Sequence, residues 1–279
     1  MPEKTESVVT IPSLQGKKDR RERIVALTAY DFPSALILDR AGVDIVLVGD
    51  SLGMVVLGYE NTIPVTMDEM IHHTKAVSRA VKRALVIGDM PYFSFHQTEE
   101  LTIANASRFL KEAGARAVKV EGASDRRLGL IAAMVEAEIP VMGHVGLTPQ
   151  SIHHLGHFRV RGGDEDEARK IIEDARKLEQ AGVFAVILEC VPEDLAGAIT
   201  KTLRVPTIGI GAGPLCDGQV LVFHDLVGFS GDDHPKFVKR YADVQSVIRQ
   251  AVIQYADEVR KGIFPDESHT YHPQKKAKS

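Results

Sequence analysis

The chain has 279 residues, of which 44% are hydrophobic and 26% are charged. This composition predicts a globular protein that can bury a full core, although the length alone leaves one large domain or two small ones open. With 34 basic and 38 acidic residues the net charge is −4, which argues against nucleic acid as the main partner. The two cysteines are too few for a disulfide framework and favour a reducing compartment. No apolar run approaches the roughly 18 residues of a membrane span, and the N-terminus has no apolar signal core, so we predict a soluble cytoplasmic protein.

Eight short apolar segments, rich in β-branched residues and bounded by turn residues, predict β-strands. In chain order they are expected at residues 24–30, 44–50, 84–89, 115–121, 139–144, 183–189, 205–209 and 220–224. Capping residues and helical spacing predict helices between most of them and one after the last. These helices are expected at residues 34–40, 67–82, 98–114, 125–137, 165–181, 193–203 and 235–261.

Eight strands that mostly alternate with helices are typical of an α/β fold, the (β/α)8 TIM barrel. A doubly wound open sheet is the alternative. We predict a single domain over residues 1–279. Its predicted parts are an N-terminal arm with one short helix at 1–23, the barrel at 24–230, C-terminal helices at 231–264 and a disordered tail at 265–279.

Several strands share one pattern, in which a helix end is followed by glycine, a buried strand and a carboxylate. The pattern begins at Ala41, Ala113 and Ala181, and a shorter version begins at Ala84. The four strands end on Asp50, Asp89, Glu121 and Glu189. In both candidate folds the ligand lies at the carboxyl ends of the strands, so this edge is the expected site.

Three of these acids, Asp50, Asp89 and Glu121, end neighbouring strands and are expected to converge. Carboxylates packed together without a cation repel and raise one another's pKa. A hard divalent ion relieves this repulsion, and Mg²⁺ is the natural choice because it prefers oxygen ligands and keeps positions open for water or substrate. The alternative is that each acid separately caps a helix or forms a local salt bridge.

Three further residues complete the expected site. Lys119 lies two residues before Glu121, so strand alternation points both side chains into the same space. A bound anion such as a carboxylate would pair with this lysine, but a salt bridge to Glu121 or Asp89 is equally compatible with the spacing. Glu189, set apart from the metal cluster, is a candidate general base. His144 ends the strand between the two regions and either shuttles a proton or serves as a structural hydrogen bonder.

Seven stretches of the chain stand out as motifs: residues 27–31 (LTAYD), 47–54 (LVGDSLGM), 64–66 (PVT), 118–122 (VKVEG), 143–150 (GHVGLTPQ), 188–192 (LECVP) and 208–213 (IGIGAG). Together they resemble the signature motifs of the ketopantoate hydroxymethyltransferase family. The resemblance runs in unbroken order over about residues 8–270, and the seven motifs together are far more specific than any one of them.

The resemblance implies a barrel of the phosphoenolpyruvate/pyruvate superfamily type and a metal-dependent one-carbon transferase. The implied reaction moves a hydroxymethyl group from 5,10-methylenetetrahydrofolate to 3-methyl-2-oxobutanoate through a Mg²⁺-stabilised enolate, giving 2-dehydropantoate for pantothenate synthesis. Other divalent metals would fit the same ligands.

The same resemblance assigns roles to individual residues. Asp50 and Asp89 resemble Mg²⁺ ligands that also contact the substrate, and Glu121 lies at or just outside the coordination shell. Ser51 and Lys119 resemble the residues that hold the substrate carboxylate. Glu189 resembles the proton acceptor, with His144 as a supporting residue.

The resemblance also implies a homo-oligomer, often a decamer, whose ligands are a small 2-oxo acid and folate. Two other functions stay open from the sequence. One is a superfamily relative that cleaves 2-oxo acids, although the Lys-Lys-Cys-Gly-His type of loop that such lyases use is absent from this sequence. The other is a non-catalytic metabolite-binding assembly on the same fold.

Overall fold

The computed structural model describes residues 7–156, 159–231 and 234–273. Within them, eight parallel strands form a closed barrel in which each strand pairs with its neighbours in sequence and β8 closes onto β1. The strands are β1 (Ile24–Thr28), β2 (Ile45–Val48), β3 (Leu85–Asp89), β4 (Ala117–Glu121), β5 (Val141–Gly146), β6 (Ala185–Glu189), β7 (Thr207–Ile210) and β8 (Gly218–Leu221). This confirms the predicted (β/α)8 barrel and excludes the open sheet.

Helices lie between most of the strands, as predicted. The α-helices of the described residues are α1 (Ile11–Asp19), α2 (Phe32–Arg40), α3 (Leu52–Val55), α4 (Met67–Ala80), α5 (Glu99–Lys111), α6 (Asp125–Glu136), α7 (Ile152–Leu155), α8 (Glu165–Gln180), α9 (Glu193–Thr202), α10 (Phe223–Leu226) and α11 (Val244–Arg260). None of them is both long and apolar enough to cross a membrane.

The predicted start of the last helix is wrong. That helix was expected to begin at Pro235, but α11 begins at Val244 because Asp243 caps it: the Asp243 carboxylate accepts a hydrogen bond from the backbone N–H of Ser246. The predicted disordered tail contains a 3-10 turn at Glu267–His269. Its last residues, 274–279, lie outside the described residues.

The chain divides into two compact units. The first comprises Met1–Phe223 and Pro235–Val238 and contains the barrel. The second comprises His224–His234 and Lys239–Ser279 and contains α11, in which no residue is buried. The single domain and its internal boundaries stay a prediction.

The interior of the barrel has an apolar floor below a polar layer. Alternate residues of each strand point inward, and towards the amino ends of the strands these form an apolar cluster that includes Ile45 and Leu85. Leu14 of α1 belongs to the same cluster and is fully buried. Further along β3 and β4 the inward positions become Asp89 and Lys119. The charged residues therefore lie at the carboxyl end of the barrel, and the apolar cluster fills the barrel below them.

The barrel packs closely against a helix at Gly88. A Cβ atom added at Gly88 in β3 would lie 2.2 Å from a ring carbon of Phe109, which is fully buried in α5. We expect Gly88→Ala to lower the free energy of unfolding by about 1–3 kcal/mol, because the core is already filled at this point. Urea unfolding followed by circular dichroism measures the change.

Gly129 provides the matched control. It is exposed in α6, and a Cβ there would meet no described atom within 4 Å. Since glycine weakens a helix relative to alanine, Gly129→Ala should raise the free energy of unfolding by about 0.5–1 kcal/mol. Equal effects of the two substitutions would contradict this account of the packing between barrel and helices.

Candidate active site

The carboxyl edge of β2, β3 and β4 gathers three acids and one lysine, here called the strand-end cluster: Asp50, Asp89, Lys119 and Glu121. Register brings them together, because Asp89 pairs with Lys119 across β3 and β4. All four are at least 95% buried. The structure thus places side by side the acids that the sequence pattern selected.

Lys119 lies between two carboxylates. Its Nζ is 3.0 Å from Asp89 Oδ2 and 2.9 Å from Glu121 Oε1. Burial alone would lower the pKa of Lys119, but Asp89, Glu121 and Asp50 outweigh it and raise that pKa well above its usual value. Lys119 is therefore charged, and both of the salt bridges considered from the sequence are present.

Asp50 and Asp89 share the other side of the cluster. The backbone N–H of Asp50 donates to Asp89 Oδ2 at 3.2 Å, and the Gln150 side-chain amide donates to Asp50 Oδ2 at 2.9 Å. Burial, reinforced by the neighbouring Asp89, raises the pKa of Asp50 well above its usual value. Burial also raises the pKa of Asp89, with Glu121 adding to the rise and Lys119 opposing it. Three acids face one lysine, and the raised pKa values favour a proton, or a bound cation in its place, on Asp50 and Asp89.

A hard divalent cation fits this arrangement. Asp89 Oδ1 is buried and accepts no hydrogen bond from any described residue, which leaves an oxygen ligand free. No group of three or more His, Cys, Asp or Glu in the described part of the chain is arranged to hold a metal by itself. Mg²⁺ commonly binds through one or two carboxylates and completes its shell with water and substrate, which suits Asp50 and Asp89. Glu121 is engaged by Lys119, so its predicted place at or outside the shell stays a prediction.

His144 links the strand-end cluster to Glu189. Its Nδ1 lies 3.5 Å from Glu121 Oε1 and its Nε2 lies 3.3 Å from Glu189 Oε2, which are ion-pair distances rather than good hydrogen bonds. Burial and Lys119 oppose a charge on the ring, but the two carboxylates outweigh them and raise the pKa of His144 to about 9. Burial also opposes a charge on Glu121, yet Lys119 and His144 lower the pKa of that acid to about 2. His144 thus lies between the two regions, as the strand order predicted.

The side chain of Glu189 is more accessible to solvent than those of Asp89 and Glu121. It is 16% exposed, whereas those of Asp89 and Glu121 are 2% and 3% exposed. The next residue, Cys190, has a φ of +48°, in the left-handed region that residues other than glycine rarely adopt. The chain therefore turns sharply after β6 and leaves the Glu189 carboxylate at the barrel mouth.

Ser51 follows Asp50 and is held by Tyr30, a residue to which the sequence interpretation gave no role. The two hydroxyl oxygens lie 2.8 Å apart. A Cβ at Gly49 would lie 2.8 Å from Ser51 Oγ, so glycine there leaves this hydroxyl in place. Tyr30 is the last residue of the first predicted strand, and this position at a strand end was the signal that could have identified it.

Gln150 is a second site residue that the sequence interpretation missed. Its backbone N–H donates to Glu121 Oε2 at 3.1 Å, and its amide donates to Asp50. Gln150 lies in one of the family-like motifs, but 100 positions separate it from Asp50. No local pattern reports a contact over that distance.

A closed parallel barrel with its ionisable residues gathered at the carboxyl ends of the strands defines the class: a (β/α)8 barrel enzyme. Solved structures with the same fold include a phosphonopyruvate hydrolase (TM-score 0.62, 14% identity, 95% of this chain and 92% of that chain). Another is 2,3-dimethylmalate lyase of the PEP mutase/isocitrate lyase superfamily (TM-score 0.60, 16% identity, 94% and 89% covered). At such identities the likeness shows the fold alone.

Sequence comparison narrows the class to one family. The profile of the family described as ketopantoate hydroxymethyltransferase matches residues 8–267. A 3-methyl-2-oxobutanoate hydroxymethyltransferase of Moorella thermoacetica is 58% identical over 265 residues, covering 95% of this chain and 98% of the relative. One from Thermoanaerobacter sp. is 54% identical over 271 residues, covering 97% and 98%. The chain belongs to the ketopantoate hydroxymethyltransferase family.

The buried lysine should be essential for stability. Lys119→Met leaves Asp89 and Glu121 without their cation in a buried space, and breaking a buried pair in this way costs about 3–5 kcal/mol. We expect a clear fall in the melting temperature at pH 7 without divalent ions, measured by differential scanning calorimetry.

Lys75→Met is the matched control. Lys75 Nζ lies 3.9 Å from Glu112, and both side chains are more than 40% exposed. Exposed pairs contribute about 0–1 kcal/mol, so this variant should melt close to the wild type. If Lys119→Met melted as high as Lys75→Met, the cluster would not depend on its lysine.

Proposed function

We propose that the chain transfers a hydroxymethyl group from 5,10-methylenetetrahydrofolate to 3-methyl-2-oxobutanoate, forming 2-dehydropantoate in pantothenate biosynthesis. The observation that carries the proposal is the position of His144 between Glu189 and the strand-end cluster. Its Nε2 lies 3.3 Å from Glu189 Oε2 and its Nδ1 lies 3.5 Å from Glu121 Oε1. Family membership supplies the reaction class.

The oxo acid binds at the strand-end cluster. Its carboxylate is held by the Ser51 hydroxyl, which Tyr30 positions, and by Lys119. Lys119 already pairs with two acids, so it can bind a further anion only if a cation offsets part of their charge. Asp50 and Asp89 are the residues that would hold Mg²⁺. When bound, Mg²⁺ would polarise the 2-oxo group and stabilise the negative charge that develops on it.

Glu189 removes the proton from C3 of the oxo acid. Its carboxylate is partly exposed at the barrel mouth and so can reach a bound substrate. His144 Nε2 lies 3.3 Å from Glu189 Oε2 and orients this carboxylate for proton abstraction. The C3 carbon then bonds to the methylene carbon of the donor as the first of its two C–N bonds breaks. Water displaces the second nitrogen and supplies the hydroxyl oxygen. The two nitrogens of the departing tetrahydrofolate take up the proton held by Glu189 and one proton of the water.

The assay is direct. The chain incubated with Mg²⁺, 3-methyl-2-oxobutanoate and 5,10-methylenetetrahydrofolate should form 2-dehydropantoate, detected by mass spectrometry. Cleavage of the oxo acid without folate would favour the lyase alternative. If no product forms with any divalent metal, the proposed function is wrong.

Glu189→Gln tests the base. In D2O with Mg²⁺ and no folate, the wild type should exchange the C3 hydrogen of 3-methyl-2-oxobutanoate, and the variant should do so at least about 100-fold more slowly. Oxo acid binding should be nearly unchanged, because the amide has the same shape as the acid. Proton NMR measures the exchange and calorimetry the binding.

Glu173→Gln is the control, because Glu173 is 64% exposed in α8 and pairs with Lys177. It should exchange at the wild-type rate. Unchanged exchange in Glu189→Gln would assign the base role to another group, and His144 would be the first candidate.

We further propose a homo-oligomer, with a decamer as the expected size and a cytoplasmic location. Two separate surfaces support association. In the barrel unit, Val25 points outward from β1 and is 48% exposed. In the second unit, α11 exposes apolar side chains that include Val252 and Ile253 at 59% and 54%. Exposed apolar surface of this kind is typical of protein interfaces.

Light scattering should give a mass near ten times 30.5 kDa, and Val252→Lys should lower it because the charge disrupts an apolar contact. A monomeric wild type would overturn this part of the proposal.

A further inference from the structure

A cavity of about 300 Å³ lies beside the strand-end cluster. Glu121 and Gln150 line it on the side of the cluster, and Tyr92, Phe95 and Arg127 line the rest together with His96. This volume is at the lower end of the range for small-molecule sites. The roles proposed above use none of the aromatic and basic part of this wall.

Arg127 is a half-buried cation in that wall. Its Nη2 lies 2.7 Å from His96 Nε2, and its guanidinium carbon lies 5.4 Å from the centre of the Phe95 ring. Among the residues that the structure describes, no carboxylate lies within 4.0 Å of it. A Cβ at Gly122 would lie 2.3 Å from Arg127 Nη1, so a glycine at this position leaves room for the guanidinium. Arg127 therefore has donors available to a ligand.

Two polar atoms in the wall, His96 Nδ1 and Gln150 Oε1, are buried and have no partner among the described residues. Arginine only donates, so His96 Nε2 must accept from Arg127 and Nδ1 must carry the proton of the neutral ring. That Nδ1 is buried without a partner in the described chain. Burial and Arg127 lower the pKa of His96 to about 4, which agrees with a neutral ring.

Gln150 provides the complementary group. Both hydrogens of its side-chain amide are used, one on Asp50 Oδ2 and one on the backbone oxygen of Met90, each at 2.9 Å. Its Oε1 accepts from no described residue and is buried, as is Gln150 as a whole, which is 5% exposed. Buried polar atoms are seldom left unpaired in proteins, so this oxygen indicates a ligand that donates.

We propose that this cavity binds the pterin ring of the one-carbon donor, an inference that rests on the proposed function. A pterin is flat and carries a ring carbonyl next to N–H groups. Arg127 and His96 donate to the carbonyl, and Gln150 Oε1 accepts from an N–H. The ring packs against Tyr92, whose side chain is 42% exposed. Because the cavity adjoins the strand-end cluster, the donor lies next to the oxo acid.

The test compares Arg127→Met with Arg126→Met. Arg126 lies on the same helix, is exposed, and donates to the backbone oxygen of Gln97 and to no other group of the described residues. Tetrahydrofolate, which has no transferable carbon, is the probe, and its affinity is measured by equilibrium dialysis with Mg²⁺ present. Arg127→Met should weaken binding about tenfold or more, since a hydrogen bond from a charged donor is lost. Arg126→Met should bind like the wild type.

The KM values separate this site from that of the oxo acid. In Arg127→Met the KM for 5,10-methylenetetrahydrofolate should rise about tenfold, and the KM for 3-methyl-2-oxobutanoate should stay near the wild-type value. Unchanged tetrahydrofolate affinity, or an equal rise in the KM for the oxo acid, would overturn the assignment. Tyr92→Ala is the second variant if Arg127→Met does not fold, and it should weaken tetrahydrofolate binding severalfold through lost stacking.

The proposed function and this inference fail in different ways. If the wild type forms no 2-dehydropantoate, the function itself is wrong. If the wild type is active and Arg127→Met binds tetrahydrofolate normally, only the pterin site is wrong.

Discussion

The arrangement at the carboxyl end of the barrel depends on the ion pairs that Lys119 forms with Asp89 and Glu121. One lysine faces three acids above an apolar floor, so the charges cannot be screened by water and must be balanced by one another. Lys119 satisfies Asp89 and Glu121 but leaves an excess of acid around Asp50. In the function that we propose, this excess attracts a divalent cation and, through that cation, an anionic oxo acid.

The residues around the cluster interact with the acids that outnumber Lys119. Gln150 donates hydrogen bonds to two of the acids in the cluster, Asp50 and Glu121. His144 lies within ion-pair distance of both Glu121 and Glu189. Glu189, the acid that we propose as the base, lies outside the densest part of the cluster and is more exposed than the acids within it. On the other side, Gln150 joins the cluster to the cavity that we assign to the pterin ring.

The sequence predicted much of this arrangement because the relevant rules are local. Period-two alternation placed Lys119 and Glu121 on one face of a strand, and the rule that barrel sites lie at the carboxyl ends placed Asp50 and Asp89 with them. No such rule predicts contacts between segments that lie far apart in the sequence, so the sequence interpretation gave Gln150 no role. The start of α11 was missed because helical composition extends further than the helix itself, whose first turn is fixed by a single capping aspartate.

The central claim is that the strand-end cluster binds a divalent cation and the oxo acid together. Calorimetric titration of Mg²⁺, with and without saturating 3-methyl-2-oxobutanoate, tests it most directly. Each ligand should bind more tightly, by about tenfold or more, when the other is present. The cation offsets the negative charge that would repel the oxo acid, the oxo acid supplies oxygen ligands to the cation, and thermodynamic linkage is reciprocal. Binding of the oxo acid with the same affinity in the presence and absence of any divalent ion would contradict the account.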